Sequence, residues 1–191
     1  NPELKKNTNH FRTSVRHLAR FRKLFYFFSE TAGGRALIGH VTNHNEQGTF
    51  DKFNHVVTCK KRCELTNTTD KSTIFWRAAL LAALFSFSLA YTKAGVKKFA
   101  ELLSKEFNTA SGGVKAMEVY TNAQNVLWEA TDLREDGIAG TQQFKENLLA
   151  IVVAIQSGVP LLITGLPGCS KTIAFTVADE YMRSRERVKH D

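Results

Sequence analysis

Eight residues, Gly165-Leu166-Pro167-Gly168-Cys169-Ser170-Lys171-Thr172, stand between an apolar run, Val159-Pro160-Leu161-Leu162-Ile163-Thr164, and a segment with helical periodicity. A buried strand, a glycine-rich turn and a helix in that order constrain the chain strongly. Successive amides in such a turn, aimed by the first turn of the helix, form a concave donor surface suited to polyphosphate. On this reading Gly165, Pro167, Gly168, Cys169, Ser170, Lys171 and Thr172 form the cradle. Lys171 reaches the β- and γ-phosphates and the Thr172 hydroxyl ligates Mg²⁺, which makes these two the candidate catalytic residues and Thr172 the candidate metal ligand. The implied cofactors are ATP and Mg²⁺, with GTP not distinguished by the loop.

One position departs from the usual G-x-x-x-x-G-K-[ST] spacing, because Ser170 precedes the lysine where glycine is the rule. Glycine spares the backbone a side-chain clash as it enters the helix. Serine must accept the same dihedrals or displace them, and it brings a hydroxyl close to the phosphates. The competing interpretation is a plain strand-to-helix turn with an incidental Lys-Thr pair.

With 191 residues, 43% of them hydrophobic, the chain can bury one sizeable core or two small ones. The phosphate loop lies so near its end that a nucleotide domain would be truncated here, without the acidic strand end that positions Mg²⁺ and water. Hydrolysis is therefore expected to need residues outside this chain, and an opening at Asn1 fits an excerpt of something larger. The net charge of +8 is local, with twelve basic against five acidic residues up to Glu64 and fourteen against thirteen beyond it. The clusters Lys60-Lys61-Arg62 and Arg16 to Lys23 could meet nucleic acid, but a solvated face explains them as well, so nucleic acid is the disfavoured partner. Three cysteines do not make a secreted disulfide framework, which points to a reducing, cytoplasmic setting. His55, Cys59 and Cys63 lack a fourth ligand for a structural zinc. The apolar stretch Ala78 to Tyr91 is shorter than the about 20 residues a bilayer demands, so no membrane span is expected.

Periodicity divides the rest. Residues 13–30 read as a helix through Val15, Leu18, Phe21, Phe25 and Phe28, capped by Thr13 or Ser14, with the Phe25-Tyr26-Phe27-Phe28 end anchored in a core. Ala32 to Asp70, rich in Gly, Asn, His and Thr, reads as loop. Ile74 to Tyr91 and Val96 to Phe107 read as a helical hairpin, and Ala116 to Ala130 as a further helix. Thr141 caps a helix carrying Phe144, Leu148, Ile151, Val152 and Ile155, which Gly158 stops. The expected domains are 1–31, 32–72 as a loop or linker insert, 73–131 as a helical connector, and 132–191. The fold class is the truncated beginning of an α/β P-loop NTPase after a mainly α-helical region.

The order helix, short strand, phosphate loop, helix resembles the opening of AAA+ nucleotide domains, and particular residues narrow the class. The stretch Gly137 to Met182, above all Gln143-Phe144-Lys145-Glu146-Asn147-Leu148-Leu149, Gly158 to Thr164, and the loop with Ser170 before Lys171, resembles an AAA+ module of the mysterin family of giant RING-finger ubiquitin ligases. Serine before lysine is a feature of that module, so the deviation supports the resemblance. Ser14-Val15-Arg16-His17-Leu18-Ala19-Arg20-Phe21 looks like the lid helix closing a preceding AAA+ module, and Trp76 to Phe107 like a segment between modules. The resemblance implies that residues 1–31 end a preceding module and that Arg16 or Arg20 faces a nucleotide held there. It implies as partners neighbouring AAA+ modules of the same parent chain, and the ubiquitin machinery only through that parent. The family's acidic metal-positioning motif, arginine finger and RING zinc ligands are not in this sequence. Two alternatives stay open. One is a nucleotide-responsive scaffold that holds ATP without cleaving it. The other is a different AAA+ or P-loop ATPase, such as a dynein-like motor or a nucleic-acid translocase.

Overall fold

Apolar residues at three- and four-residue intervals dominate this chain, and helices follow from them. The computed structural model describes residues 14–39, 71–87, 92–131 and 137–187. Among these, the regular elements are α1 (Val15–Glu30), α2 (Ala32–Gly39), α3 (Lys71–Phe87), α4 (Lys93–Glu106), α5 (Ala116–Ala130), α6 (Gln142–Ser157) and α7 (Lys171–Arg187). The zinc-like cluster at His55, Cys59 and Cys63, the basic run Lys60 to Arg62 and the cap candidate Thr13 lie outside the described residues.

Capping explains several of the boundaries. Thr92 and Thr141 accept the amides of Gly95 and Phe144 at 3.3 Å each, and so start α4 and α6. Gly158 closes α6 in the left-handed conformation at φ 64°, the C-terminal stop expected of it. Ser104 joins two helices, donating to the Ala100 carbonyl at 2.7 Å and accepting the Ala116 amide, the first of α5, at 2.9 Å.

Helix α6 is central to the packing. Phe144, Leu148, Leu149, Ile151, Val152 and Val153 are all buried, spread over more than half of its circumference. It touches α1, α5 and α7. The cluster that results runs from Leu24, Phe27 and Phe28 of α1 through Leu81 and Phe85 of α3 to Ala174, Val177 and Ala178 of α7. The helix behind the glycine-rich turn thus shares a core with α1. A smaller cluster of Leu80, Leu84, Ala100 and Ala116 joins α3, α4 and α5. No helix among the described residues is long and apolar enough to cross a membrane.

Several expectations are corrected. Residues 32–39 are helical rather than loop, because Thr31 takes both roles at the junction: its hydroxyl donates to the Phe27 carbonyl at 2.7 Å and accepts the Gly34 amide at 3.0 Å. Leu37 and Ile38 then enter the core. The run 159–164 is extended and is not a buried strand. Val159, Leu161 and Ile163 pack on the core, while Pro160, Leu162 and Thr164 are exposed, and no paired strand stands beside it among the described residues. Without a neighbouring ladder one face has nothing to cover it. Val15, Leu18 and Ile155, which fit the apolar periodicities, and Tyr26, expected to be anchored in a core, are also exposed, since no element among the described residues lies over those parts of α1 and α6.

Two outcomes test this packing. A Cβ at Gly34 would lie inside the Phe27 carbonyl, and backbone cannot step aside as a side chain can. Gly34→Ala is expected to cost about 3 kcal/mol, measured by chemical denaturation. Tyr120 is held neutral by burial and secondarily by Glu146, so that its hydroxyl is pushed up to about 12. Its unfolded value is near 10, so folding loses stability as pH rises through the window between the two values. Tyr120→Phe is expected to flatten that alkaline decline in denaturation curves.

Candidate functional site

The segment after α6 leaves the core at Thr164, turns through Gly165 to Ser170 and enters α7 at Lys171. The first four amides of any helix have no intrahelical acceptor. Here the first helical bond beyond the turn runs from Ala174 N–H to the Ser170 carbonyl at 3.0 Å. Cys169 N–H turns toward the Leu166 carbonyl at 3.4 Å, whereas the amides of Gly168, Ser170, Lys171 and Thr172 find no acceptor among the described residues. Four main-chain donors at a positive helix end are thus available on the outside of one turn.

Two residues of this turn occupy the left-handed region. Gly168 lies at φ 79°, and Ser170 at φ 56° is the one non-glycine residue with positive φ among the described residues. Serine has therefore accepted the dihedrals that glycine adopts freely. A β-carbon in this region costs roughly 1–2 kcal/mol, which marks the turn as held by its surroundings rather than by local preference.

Those surroundings are identifiable. The Lys171 ammonium folds back over the turn and donates to the Gly165 carbonyl at 2.8 Å and the Leu166 carbonyl at 2.7 Å. It stays at the surface, so its positive charge sits beside the free amides. From the core side, Asn147 of α6 donates to the Cys169 carbonyl at 2.9 Å, and Gln143 donates to the Asn147 side-chain oxygen at 3.2 Å. Asn147 is buried, at 6% exposure. Cys169 is a half-buried free thiol, and Gly165, Pro167, Gly168 and Thr172 are exposed.

All seven residues singled out by the motif are therefore in one turn, with a cation and an exposed hydroxyl at the same helix start. Arg20 is elsewhere. It borders a shallow apolar cleft with Leu24, Ala150, Val153 and Leu161 at the other end of the extended segment, and Arg16 is exposed on α1. Among the described residues no group of His, Cys, Asp and Glu could hold a metal ion by itself. Asn147 and Gln143 lay in the motif-bearing stretch but had been assigned no role. The signal that could have found Asn147 is its spacing: it falls three residues after Phe144 and four before Ile151, within the apolar stripe, where a polar residue needs a partner.

Comparison with known proteins places this geometry in context. Residues 137–190 match the RNF213 AAA domain family. The chain is similar to the E3 ubiquitin-protein ligase RNF213 of Homo sapiens, 27% identical over 118 residues, covering 61% of this chain and 2% of that protein. The Mus musculus protein of the same name is 23% identical over 137 residues, 71% of this chain and 2% of its own. A putative uncharacterized transmembrane protein of Dictyostelium discoideum is 35% identical over 49 residues, 26% of this chain. The chain spans about 2% of the length of the two ligases it matches. No solved structure matches it.

The strained serine yields a direct expectation. Ser170→Gly removes the β-carbon clash but adds freedom to the unfolded chain, worth roughly 0.5–1 kcal/mol in the opposite direction. The balance is a gain of about 0.5 kcal/mol, and Ser170→Val, branched at the β-carbon, is expected to lose more than about 1 kcal/mol. Both are read from denaturation midpoints.

Proposed function

With kinship to the mysterin (RNF213) family as the premise, we propose that this chain binds Mg·ATP through residues 165–172, at the opening of an AAA+ nucleotide-binding domain of a mysterin-like E3 ubiquitin-protein ligase. The observation that carries the reading is the pairing of four unclaimed amides with the Lys171 ammonium over the same turn. The donor set fits the group. Amides and ammonium together offer only donors toward the outside, which suits an anion and suits no cation.

Lys171 at present spends two of its three N–H donors on neutral carbonyls. A phosphate oxygen carries negative charge where a carbonyl is neutral, so exchange of partners adds ion-pair attraction and favours binding. The amides of Gly168, Ser170, Lys171 and Thr172 would hold phosphate oxygens, and the exposed Thr172 hydroxyl is the group on this chain to meet Mg²⁺. The ion supplies charge neutralisation between phosphates when bound. Hydrolysis would draw on residues outside this chain, and a neighbouring module of the parent is their expected source. Ubiquitin transfer, by the same reasoning, is a property of the parent and not of these residues. The extended segment and the helix α7 enter a core shared with α1, so nucleotide held at the turn would be felt across the helical region.

Isothermal calorimetry with Mg·ATP tests the reading. Lys171→Ala deletes two charge-assisted contacts at about 1.5 kcal/mol each, a loss of about a hundredfold or more in affinity. Cys169→Ala leaves affinity nearly unchanged, because that residue contributes its main-chain carbonyl and amide to the turn. Equal affinity in the Lys171 variant would remove the assignment.

A further inference from the structure

Resting on the nucleotide-binding reading of the turn, we infer that Asn147 is a positioning residue that aims the Ser170 amide at the bound phosphate. The bond from Asn147 Nδ2 to the Cys169 carbonyl, 2.9 Å long, is made from the core side of the turn. In a trans peptide the carbonyl and the following N–H point in opposite directions within one plane. Anchoring the Cys169 oxygen toward α6 therefore turns the Ser170 N–H away from α6, in the same turn as the other free amides and the Lys171 ammonium.

The same bond satisfies the backbone just ahead of the helix. Ser170 directly precedes α7 and its own carbonyl accepts the first helical bond, from Ala174 N–H, so the Cys169 carbonyl has no helical donor. Asn147 supplies one. The Cys169 oxygen is thereby held on the α6 side at the residue that enters Ser170, which stands at φ 56°. A side chain that is 6% exposed supplies the donor, and it has one orientation available. A carbonyl acceptor requires the NH₂ end of the amide, and Gln143, donating to Asn147 Oδ1 at 3.2 Å, secures the other end.

Lys171 and Asn147 thus divide the loop carbonyls between them. Lys171 holds Gly165 and Leu166 from outside, and it must let go of them to reach a phosphate. Asn147 holds Cys169 from inside and keeps its bond throughout. Its contribution is to have the Ser170 donor already oriented when the anion arrives, which lowers the ordering cost of binding.

The test uses the full chain titrated with Mg·ATP, following affinity by calorimetry and the Ser170 amide by ¹H–¹⁵N correlation spectra. Asn147→Leu, close in size and without a donor, is expected to weaken binding about tenfold. Its Ser170 resonance should be displaced before any nucleotide is added, and the downfield shift that binding causes in the native chain should be lost. Gln143→Leu, at a half-buried site, removes only the orienting bond and is expected to weaken binding about threefold. Undiminished affinity and an unchanged Ser170 shift in Asn147→Leu, with binding abolished by Lys171→Ala, overturn this inference and leave the phosphate-loop reading standing. If Asn147→Leu does not fold, Gln143→Leu decides, and native affinity in that variant overturns the inference. A native chain that takes up no Mg·ATP overturns both.

Discussion

The two-sided burial of α6 is the constraint on which the rest of the structure depends. A helix apolar over more than half its circumference cannot lie at a surface; it needs cover from several directions. Helices α1, α5 and α7 supply it. Each of the five aliphatic side chains Leu148, Leu149, Ile151, Val152 and Val153 removes most of its surface from water, worth roughly 1.5–3 kcal/mol apiece. That burial fixes α7 in place, and the turn that precedes α7 is fixed with it.

The turn itself is built against local preference. Serine in the left-handed region is unfavourable alone, and four amides without acceptors are unfavourable if shielded from water. Both features persist because neighbouring groups hold the turn: a buried carboxamide on the core side and an ammonium at the surface. Strain localised where donors converge is the usual physical sign of a ligand site.

Much of this was legible in the residues. Thr141 and Gly158 bound α6 as their capping chemistry predicts, and the apolar period placed α3, α4 and α5 near their observed spans. The resemblance to the mysterin family was also carried by residues, since the stretch bearing the motifs is the stretch that matches the RNF213 AAA domain. The misses share a cause. Gly33-Gly34 reads as a break in one dimension, but in three it is the contact that lets α2 lie on the end of α1. Ile155 and Leu18 obey the period and stay exposed, since period reports a face and not whether anything lies over it. Leu162, in a run read as a buried strand, is 86% exposed for the same reason.

Local chemistry, then, was decided by the chain alone: where helices begin and end, which turn collects glycine, serine and lysine, and which family these residues resemble. Those properties depend on neighbours within a few positions and need no knowledge of packing. Only the tertiary structure decided that Asn147 reaches across twenty-two residues of sequence to the Cys169 carbonyl, and that Ser170 accepts a positive φ instead of displacing it. Contacts of that span arise when separate helices bury their faces together, and no periodicity in the sequence encodes which side chain will meet which carbonyl.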